Sequence, residues 1–318
     1  MGLITHLKNS YYMPGVDERL WADVLKRVFY RRIPKFPRTI QIQTRTGCNG
    51  GCVFCPYEDS HNAVPKGAMS DTLFESIVDE IAGQKATRRI SPYLMNEPFL
   101  DKTVVDKARR IKARVPWAKV VMTTNAGVLK PEVVDDILRD NPFHAVYISM
   151  QGIEKGPYEE TMRGSLVFEV TKENVEYLID QRQRRAPGLK IVVTMIKTRV
   201  IDAEAAVAYW KSRGVESKYT VLENRGGNLP EFDSLNLGSK RVFKDCTRLF
   251  KHAYILFNGD MVLCCTDYYQ TMILGNVADS SIEAVWNSPR ATKIRRDFLR
   301  GDFSENPLCR DCYVSQVL

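Results

Sequence analysis

The stretch Cys48-Asn49-Gly50-Gly51-Cys52-Val53-Phe54-Cys55 holds three cysteines in the pattern C-x3-C-x2-C. Iron–sulfur clusters usually take four cysteine thiolates, so a set of three leaves one iron of a [4Fe–4S] cube open to another ligand. The stretch comes directly after a strand-like run at Thr39–Thr44. It is therefore expected at the carboxyl edge of a sheet, where folds of alternating strands and helices place their chemistry.

Strand-like and helix-like runs alternate after this stretch. Five more strands are predicted at Arg89–Met95, Lys119–Thr124, Ala145–Met150, Lys190–Ile196 and Lys218–Glu223. The clearest helices are predicted at Asp71–Ala82, Val104–Arg114, Pro131–Arg139, Phe168–Gln183 and Ala203–Arg213. Largely apolar strands that alternate with helices predict an α/β fold, with a parallel sheet covered by helices. Six such units are fewer than the eight of a closed barrel.

The two ends of the chain differ from this alternation. Val16–Arg32 is predicted to form an amphipathic helix. Beyond residue 230, Asn258-Gly259 between two apolar runs predicts a β-hairpin with a type I′ turn, and Ser281–Asn287 a short helix. A boundary is predicted in Gly226–Ser239, which is rich in Gly, Asn, Pro and Ser. The predicted division is a helical segment at 1–38, an α/β domain at 39–230 and a small domain at 231–318.

A second group of cysteines lies in the small C-terminal domain, at Cys246, Cys264, Cys309 and Cys312. The predicted hairpin carries one of them, and a terminal C-x2-C carries two. Four thiolates suit either a fully ligated [4Fe–4S] cluster or a tetrahedral zinc ion. A zinc- or cluster-binding module without catalysis therefore stays open as an alternative.

The two cysteine groups and the six β/α units together resemble the radical S-adenosylmethionine (SAM) superfamily, in its subgroup with a C-terminal twitch domain, a shortened SPASM domain. The resemblance runs from about residue 39 to residue 318 and includes Leu274-Gly275-Asn276-Val277. It implies a partial (β/α)6 TIM-like barrel followed by a small hairpin and helix domain. It also implies two [4Fe–4S] clusters, one on each cysteine group, with SAM on the open iron of the first. In this superfamily SAM is cleaved to a 5′-deoxyadenosyl radical, which abstracts hydrogen from carbon.

The same resemblance implies the residues that bind SAM. They are Phe54, Glu97, Thr124, Asn125, Ser149 and Arg163. Phe54 matches a position whose backbone contacts adenine, and the Thr, Asn and Ser match polar positions near the ribose. Glu97 matches the ligand of the methionine amino group, although Met95-Asn96 replaces the usual two glycines. Arg163 matches a partner of the SAM carboxylate. From the residues alone, Glu97 could instead cap a helix and Arg163 could form a surface ion pair.

Four further residues are predicted near the substrate. Arg225, at the end of the sixth strand, and Asp267 and Tyr268, after the hairpin, are candidates for binding it. For Arg225, an exposed turn is the alternative. Cys265 is left over, because neighbouring side chains of an extended chain point to opposite faces and Cys264 is the expected ligand. Cys265 is expected either as a small buried apolar residue or as a thiol that donates a hydrogen atom.

The reaction predicted first is epimerisation at a hydroxyl-bearing carbon, with Cys265 returning the hydrogen atom. The alternative is oxidation of that alcohol to a ketone, with the second cluster as electron acceptor. The substrate class, a sugar or aminocyclitol in antibiotic-like biosynthesis, is implied by resemblance to the aminoglycoside dehydrogenases and epimerases of the subgroup. Modification of peptides or RNA is a less favoured third class, because the peptide-modifying SPASM members carry more C-terminal cysteines.

Composition sets limits on partners and compartment. The 318 residues include 44% hydrophobic residues, carry a net charge of +8 and show no dense basic block, so no nucleic-acid partner is predicted. No apolar run is long enough for a membrane span, and the N-terminus lacks a secretory pattern. The eight cysteines group at metal-like spacings, which favours the reducing cytoplasm over a disulfide-bonded secreted protein. The resemblance implies an external electron donor such as a flavodoxin or ferredoxin.

Overall fold

The computed structural model describes residues 33–237 and 246–312, and the predicted helix at Val16–Arg32 lies outside them. The strands are β1 (Thr39–Ile42), β2 (Arg89–Ser91), β3 (Lys119–Thr124), β4 (Ala145–Ser149), β5 (Lys190–Lys197), β6 (Glu216–Val221), β7 (His252–Ile255), β8 (Asp260–Val262) and β9 (Ile273–Asn276). The helices are α1 (Tyr57–Ser60), α2 (Asp71–Gln84), α3 (Val104–Arg114), α4 (Pro131–Asp140), α5 (Lys155–Met162), α6 (Phe168–Arg185), α7 (Ala203–Ser212), α8 (Phe232–Leu235), α9 (Arg248–Lys251), α10 (Ile282–Trp286), α11 (Pro289–Arg300) and α12 (Pro307–Asp311). Two 3-10 turns lie at Pro98–Leu100 and Arg225–Gly227.

One sheet of nine strands runs through the described residues in the order β6-β5-β4-β3-β2-β1-β7-β8-β9. The six predicted strands are all present and all pair in parallel with their neighbours. The strand β7, predicted as half of a separate hairpin, also pairs in parallel with β1, through Thr39 opposite His252 and Ile42 opposite Ile255. Strands β8 and β9 then continue the sheet in antiparallel fashion. The barrel is therefore partial, with β6 and β9 at its edges.

The turn between β7 and β8 differs from the predicted type I′ turn. A type I′ turn needs positive φ at both central residues. Here Gly259 has φ of +92°, and Asn258 is absent from the positive-φ residues. The Gly259 amide donates to Leu256 O at 3.0 Å, which places Phe257 and Asn258 at the centre of the turn. The Asn258 side chain bonds Asp260 instead, through Oδ1 to the amide and Nδ2 to the carboxylate.

The two faces of the central strands have different environments. Met122, Val146, Ile148, Val193 and Met195 are all buried in the core that the strands share with the surrounding helices. The alternate residues point to the opposite face, as the two-residue period of a strand requires. These alternate residues form the inner face of the partial barrel.

The helix ends follow ordinary capping chemistry. Ser70 caps α2 as predicted, since its side chain accepts from the Leu73 amide. Pro131 occupies the first turn of α4, where its missing N–H has no cost. Helix α4 ends at Asn141 in the left-handed region. These local signals explain why helix positions agree closely with the sequence prediction.

Candidate active site

The first cysteine motif forms the loop after β1, at the carboxyl edge of the parallel strands. Its backbone closes on itself through the Cys55 amide and Cys52 O, at 2.9 Å. The end of α5 packs directly against it, since Ser165 donates to Asn49 O at 2.8 Å. Gly164 makes this approach feasible, because it has φ of +68° and a Cβ there would lie 2.7 Å from Asn49 O. The loop is thus held rigidly over the mouth of the strands.

The three thiols of this loop are partly buried and within electrostatic reach of one another. Burial, aided by the charges of Glu97 and Cys55, raises the pKa of Cys48 to about 12. Burial also raises the pKa of Cys52 well above its usual value, with Cys55 and Cys48 as the next causes. Buried thiols this close favour the neutral form until a cation compensates their charge. The environment therefore suits a positively charged iron centre.

The donor set fits a cluster better than a single ion. Across residues 33–237 and 246–312, no three His, Cys, Asp or Glu side chains converge on one point that would hold a metal ion. All eight cysteines are free thiols. A [4Fe–4S] cube takes each thiolate on a different iron, so its ligands approach one another without converging. The motif C-x3-C-x2-C supplies three such thiolates from one loop.

Glu97 lies at the edge of this loop, at the end of the segment after β2. Its Oε1 accepts from Thr124 Oγ1 at 2.7 Å and from the Phe99 amide at 3.2 Å, while Oε2 accepts from the Asn125 amide at 2.8 Å. Burial raises the pKa of Glu97 to about 7, against the opposing effect of these hydrogen bonds. Both predicted roles are compatible with this position, since Glu97 caps a 3-10 turn and also sits beside the cysteine loop.

The other predicted SAM-binding residues occupy two different settings. Asn125 lies near the cluster loop, with Nδ2 at 3.9 Å from Cys48 Sγ and 2.8 Å from Asn49 Oδ1. Phe54 is buried and Ser149 is partly buried at the end of β4. Arg163, by contrast, has a side chain 49% exposed and lies 3.3 Å from Glu231. The contacts of Arg163 are those of the surface ion pair that the sequence left as its alternative.

The second cysteine group gathers around the hairpin and α12. Burial raises the pKa of Cys246 to about 11, with the charge of Cys264 as the next cause. Burial likewise raises the pKa of Cys309, followed by the charges of Cys264, Cys246 and Cys312. The Cys309 amide donates to Asn306 Oδ1, the cap of α12, at 3.0 Å. All four predicted ligands are thus within electrostatic reach of one another.

A tight loop after β8 connects the two cysteine groups. The Asp267 side chain is fully buried and accepts from the Thr271 amide at 2.9 Å and from the Met272 amide at 2.8 Å. Both of its oxygens are engaged, which supports an anchoring role for Asp267 in place of the predicted contact with substrate. The anchored loop brings Tyr268 Oη to 3.4 Å from Cys55 Sγ. Only four positions separate Cys264, in one group, from Tyr268, which touches the other.

Cys265 is part of this loop but belongs to neither cysteine group. It packs beside Leu94, Tyr254, Leu256 and Val262. A hydrogen bond with Cys264 lowers the pKa of Cys265 to about 6, burial opposes the shift, and the Arg248 charge reinforces it. Cys265 therefore has apolar neighbours on one side and the polar groups of Cys264 and Arg248 on the other.

The segment 223–228 joins the first cysteine loop to the second group. Arg225, in the left-handed region at φ of +53°, points its Nε at Phe54 O at 3.4 Å. Asn224 Nδ2 donates to Asp311 O at 2.7 Å, and Asn228 Nδ2 lies 3.4 Å from Thr266 O. This segment contacts both groups, so the predicted location of Arg225 at the mouth agrees with its contacts.

Glu223 forms a bidentate ion pair with Arg248, at 2.7 and 2.9 Å. Although burial raises the pKa of Glu223, the Arg248 charge and hydrogen bonds outweigh it and leave the pKa below its usual value. Sequence reasoning missed Arg248. Its position two residues after the ligand Cys246 was the available signal, although nothing local in the sequence indicates a partner in the segment after β6.

The close approach at Gly226 predicts a loss of stability on substitution. Gly226 has φ of +72°, and a Cβ there would lie 2.5 Å from Leu308 Cδ1, beside the ligand Cys309. We expect Gly226→Ala to destabilise the reconstituted protein by about 1–3 kcal/mol, since it adds backbone strain and overpacking. Anaerobic thermal unfolding measures this. Gly301→Ala is the matched control, because Gly301 also has a positive φ, of +74°, while its added Cβ would meet no neighbouring side chain or backbone within 4 Å. An unchanged melting temperature for Gly226→Ala would contradict the close approach.

Two family models match the sequence. Residues 42–207 match the model described as the Radical SAM superfamily. Residues 246–313 match SPASM, described as an iron-sulfur cluster-binding domain. The two matches cover the first cysteine motif and the second cysteine group, respectively. They imply SAM and two [4Fe–4S] clusters as cofactors, and they favour iron–sulfur over zinc at the second group.

One sequence comparison and two structure comparisons illustrate the likeness. The S-adenosyl-L-methionine-dependent 2-deoxy-scyllo-inosamine dehydrogenase of Niallia circulans is 21% identical over 280 residues, 86% of this chain and 91% of that protein. The crystal structure of BtrN in complex with AdoMet and 2-DOIA has a TM-score of 0.61 at 18% identity, covering 86% of this chain and 92% of that one. Streptococcus suis SuiB bound to precursor peptide SuiA has a TM-score of 0.63 at 14% identity, covering 99% and 81%. At these identities the structural likeness shows the fold alone. Among the described residues, no helix has the length and apolarity needed to cross a membrane.

Proposed function

The chain belongs to the radical SAM superfamily, and from this premise we propose that it is a SAM-dependent dehydrogenase that oxidises a secondary alcohol of a small polyhydroxylated substrate to a ketone. The observation that carries the proposal is the loop from Cys264 to Tyr268, which links a second cysteine group to the first. A second fully ligated cluster near the radical site is the feature that an oxidation uses. The Niallia circulans relative, named as a dehydrogenase, supports the same reaction.

Oxidation of the alcohol removes a hydrogen atom from carbon, a proton from the hydroxyl and one electron. When bound, SAM and the cluster on Cys48, Cys52 and Cys55 supply the radical that takes the hydrogen atom, and the second cluster supplies the electron acceptor. The chain itself provides Cys246, Cys264, Cys309 and Cys312 as the ligand set of that acceptor. Oxidation has no step that needs a thiol donor.

The residues around the mouth have proposed tasks that follow from their contacts. We propose that Arg225 and Tyr268 orient the substrate, because both lie next to the first cysteine loop and the second group. Phe54, Thr124, Asn125 and Ser149 are proposed to surround SAM on the strand side. Arg163 keeps its proposed role toward the SAM carboxylate only if it leaves Glu231, which its exposure permits.

Glu97 gives the proposed SAM site a pH dependence. Its pKa is raised to about 7 by burial, and its carboxylate form is the stronger acceptor for the N–H groups of the methionine amino group. We therefore expect SAM affinity to fall by up to about tenfold from pH about 7.5 to pH about 6, as the carboxylate takes up a proton. Equilibrium dialysis of the reconstituted protein measures this. Glu97→Gln is expected to bind SAM more weakly at both pH values and without the pH dependence; retained pH dependence would refute the assignment.

The competing reaction, epimerisation, is favoured by one specific observation. Cys265 is partly buried, next to the ligand Cys264 and within electrostatic reach of Arg225, where a hydrogen-atom donor would be useful. The relative is named as a dehydrogenase, which supports oxidation instead. Epimerisation is therefore ranked second.

Replacement of Cys265 separates the two reactions. We expect Cys265→Ala to retain alcohol oxidation within about tenfold of the wild-type rate, because oxidation does not use that thiol. Cys265→Ser is the matched variant that keeps a polar group of similar size. The readouts are product identity by mass spectrometry and the cluster signals by electron paramagnetic resonance. Loss of all product with normal 5′-deoxyadenosine formation and intact clusters would favour epimerisation and contradict the dehydrogenase.

The remaining partners are proposed on general grounds. We propose a small polar substrate of the sugar or aminocyclitol class and reduction of the first cluster by an external donor such as a flavodoxin or ferredoxin. A cytoplasmic location is supported by the eight free thiols, which a reducing compartment preserves. The modest net charge of +8 gives no support for a nucleic-acid partner.

A further inference from the structure

The inner face of the partial barrel carries polar side chains beside the apolar Val121, Ala145 and Val192. Tyr147 lies opposite Thr123, and Ser149 lies opposite Thr194, which in turn lies opposite Lys218. Residues directly opposite each other on paired strands share a face, so these side chains all point inward. In closed barrels that face is filled by branched apolar residues. Here the inner face is instead suited to hold a polar ligand.

Two cations on this face stand around one aromatic ring. Arg89, at the start of β2, has its guanidinium carbon 6.0 Å from the centroid of the Tyr147 ring. Lys218, on β6, has its ammonium nitrogen 5.3 Å from the same centroid. The Tyr147 ring on β4 is therefore flanked on one face of the sheet by an arginine from β2 and a lysine from β6.

Arg89 has no carboxylate partner in the described part of the chain. Its Nε–H is buried and donates no hydrogen bond within residues 33–237 and 246–312. Over the same residues neither Arg89 nor Lys218 forms an ion pair, whereas Arg109 on the outer surface contacts Asp106, Asp136 and Asp140. A buried guanidinium nitrogen without a partner is costly, so this N–H is available to an anionic ligand.

The carboxylates nearest to the inner face are already engaged. Glu223 is held by Arg248, Glu216 pairs with Lys190 at 2.5 Å, and Glu97 accepts from Thr124 and Asn125. The neighbouring His252 adds evidence for a positive field. Burial and then the charges of Arg248, Arg89 and Lys251 lower the pKa of His252 to about 4, so it is neutral near pH 7.

We propose that the inner face binds an oxyanion group of the substrate, a phosphate ester or a carboxylate, with Arg89 as its main contact and Lys218 as its second. This inference rests on the proposed function and names the substrate class more closely. A guanidinium matches the planar and bidentate geometry of oxyanions, and a lysine adds a point charge. An amine-bearing substrate, such as the inosamine in the name of the Niallia circulans relative, meets two uncompensated cations here.

Binding of four related hexoses to the anaerobically reconstituted protein tests the site without turnover. Glucose 6-phosphate, glucuronate, glucose and glucosamine share one ring and differ in charge. We expect the two anions to bind at least about tenfold more tightly than glucose, and glucosamine to bind most weakly, as isothermal titration calorimetry measures. The ratio between the two anions distinguishes a phosphate site from a carboxylate site. Equal affinity for all four compounds would overturn the proposal.

Matched variants locate the binding. Arg89→Gln is expected to remove the preference for anions, Arg89→Lys to retain part of it, and Lys218→Gln, on the exposed edge strand, to reduce it in a protein that folds normally. Arg139→Gln, a remote exposed cation on α4, should leave it unchanged. A preference that survives both Arg89→Gln and Lys218→Gln would overturn the site. If anion preference holds while no alcohol is oxidised, the anion site stands and the dehydrogenase proposal fails.

Discussion

Replacing Cys55 with alanine is expected to abolish SAM cleavage. Cys55 is one of three thiolates that would hold the first cluster, and with two ligands left the cube has no stable attachment. Neither Cys48 nor Cys52 has a fourth cysteine nearby to compensate, since the other ligands belong to the second group. Chromatographic detection of 5′-deoxyadenosine after addition of reductant gives the direct readout, with the expected yield below detection.

Two further measurements make the Cys55→Ala result specific. Iron content is expected to fall from about eight to about four per chain, because the second cluster stays bound. Cys265→Ala, which removes a thiol outside both groups, is the matched control and should keep both clusters and SAM cleavage. Substantial 5′-deoxyadenosine formation by Cys55→Ala would contradict the assignment of the first site.

The double variant Cys309→Ala/Cys312→Ala is expected to separate SAM cleavage from alcohol oxidation. It removes both ligands of the terminal C-x2-C, so the second cluster is lost while the first loop, on the far side of Tyr268, is unchanged. Without the electron acceptor, the substrate radical cannot complete oxidation. We expect 5′-deoxyadenosine to form and the ketone to be absent, as liquid chromatography and mass spectrometry would show.

The double variant Cys309→Ala/Cys312→Ala needs its own control for folding. Leu308 packs against Gly226, and Cys309 is buried, so the substitutions could disturb α12. The serine pair Cys309→Ser/Cys312→Ser keeps the side-chain volume, and circular dichroism reports whether the fold survives. Normal ketone formation by a folded variant that has lost its second cluster would refute that cluster as electron acceptor.

Sequence patterns predicted the α/β alternation well because the deciding signals are local. Ser70 caps α2 and Pro131 starts α4 through contacts within one turn of each residue. The pairing of β7 with β1 was not predictable in this way. Both runs are short and apolar, and no local feature distinguishes an edge of a separate hairpin from a seventh parallel strand. The predicted boundary at residue 230 stays a prediction, although one sheet spans it.

The candidate site shows the same division between local and distant signals. The cysteine spacing identified both ligand groups, because ligand identity and spacing are properties of the chain itself. The role of Asp267 was not visible, because an acidic residue beside Tyr268 looks the same whether it faces a substrate or accepts from the Thr271 and Met272 amides. Arg248 and Arg89 depend on partners on other strands, which only the folded chain reveals.

The choice of reaction could not be made from the sequence. Cys265 suggested epimerisation because it had no other assignment, whereas the named relative favours oxidation. In the structure the Cys265 thiol hydrogen-bonds with Cys264 and packs beside Tyr254, and these contacts account for it without hydrogen-atom donation.

The most direct test of the dehydrogenase proposal is a turnover of the reconstituted wild-type enzyme in D2O, with SAM, reductant and a panel of polyhydroxylated substrates. Product mass and deuterium content are read by mass spectrometry beside the yield of 5′-deoxyadenosine. The proposal predicts a product lighter by two hydrogens, without carbon-bound solvent deuterium, in equal amount to 5′-deoxyadenosine. A product of otherwise unchanged composition that carries one solvent deuterium on carbon would contradict oxidation and establish epimerisation.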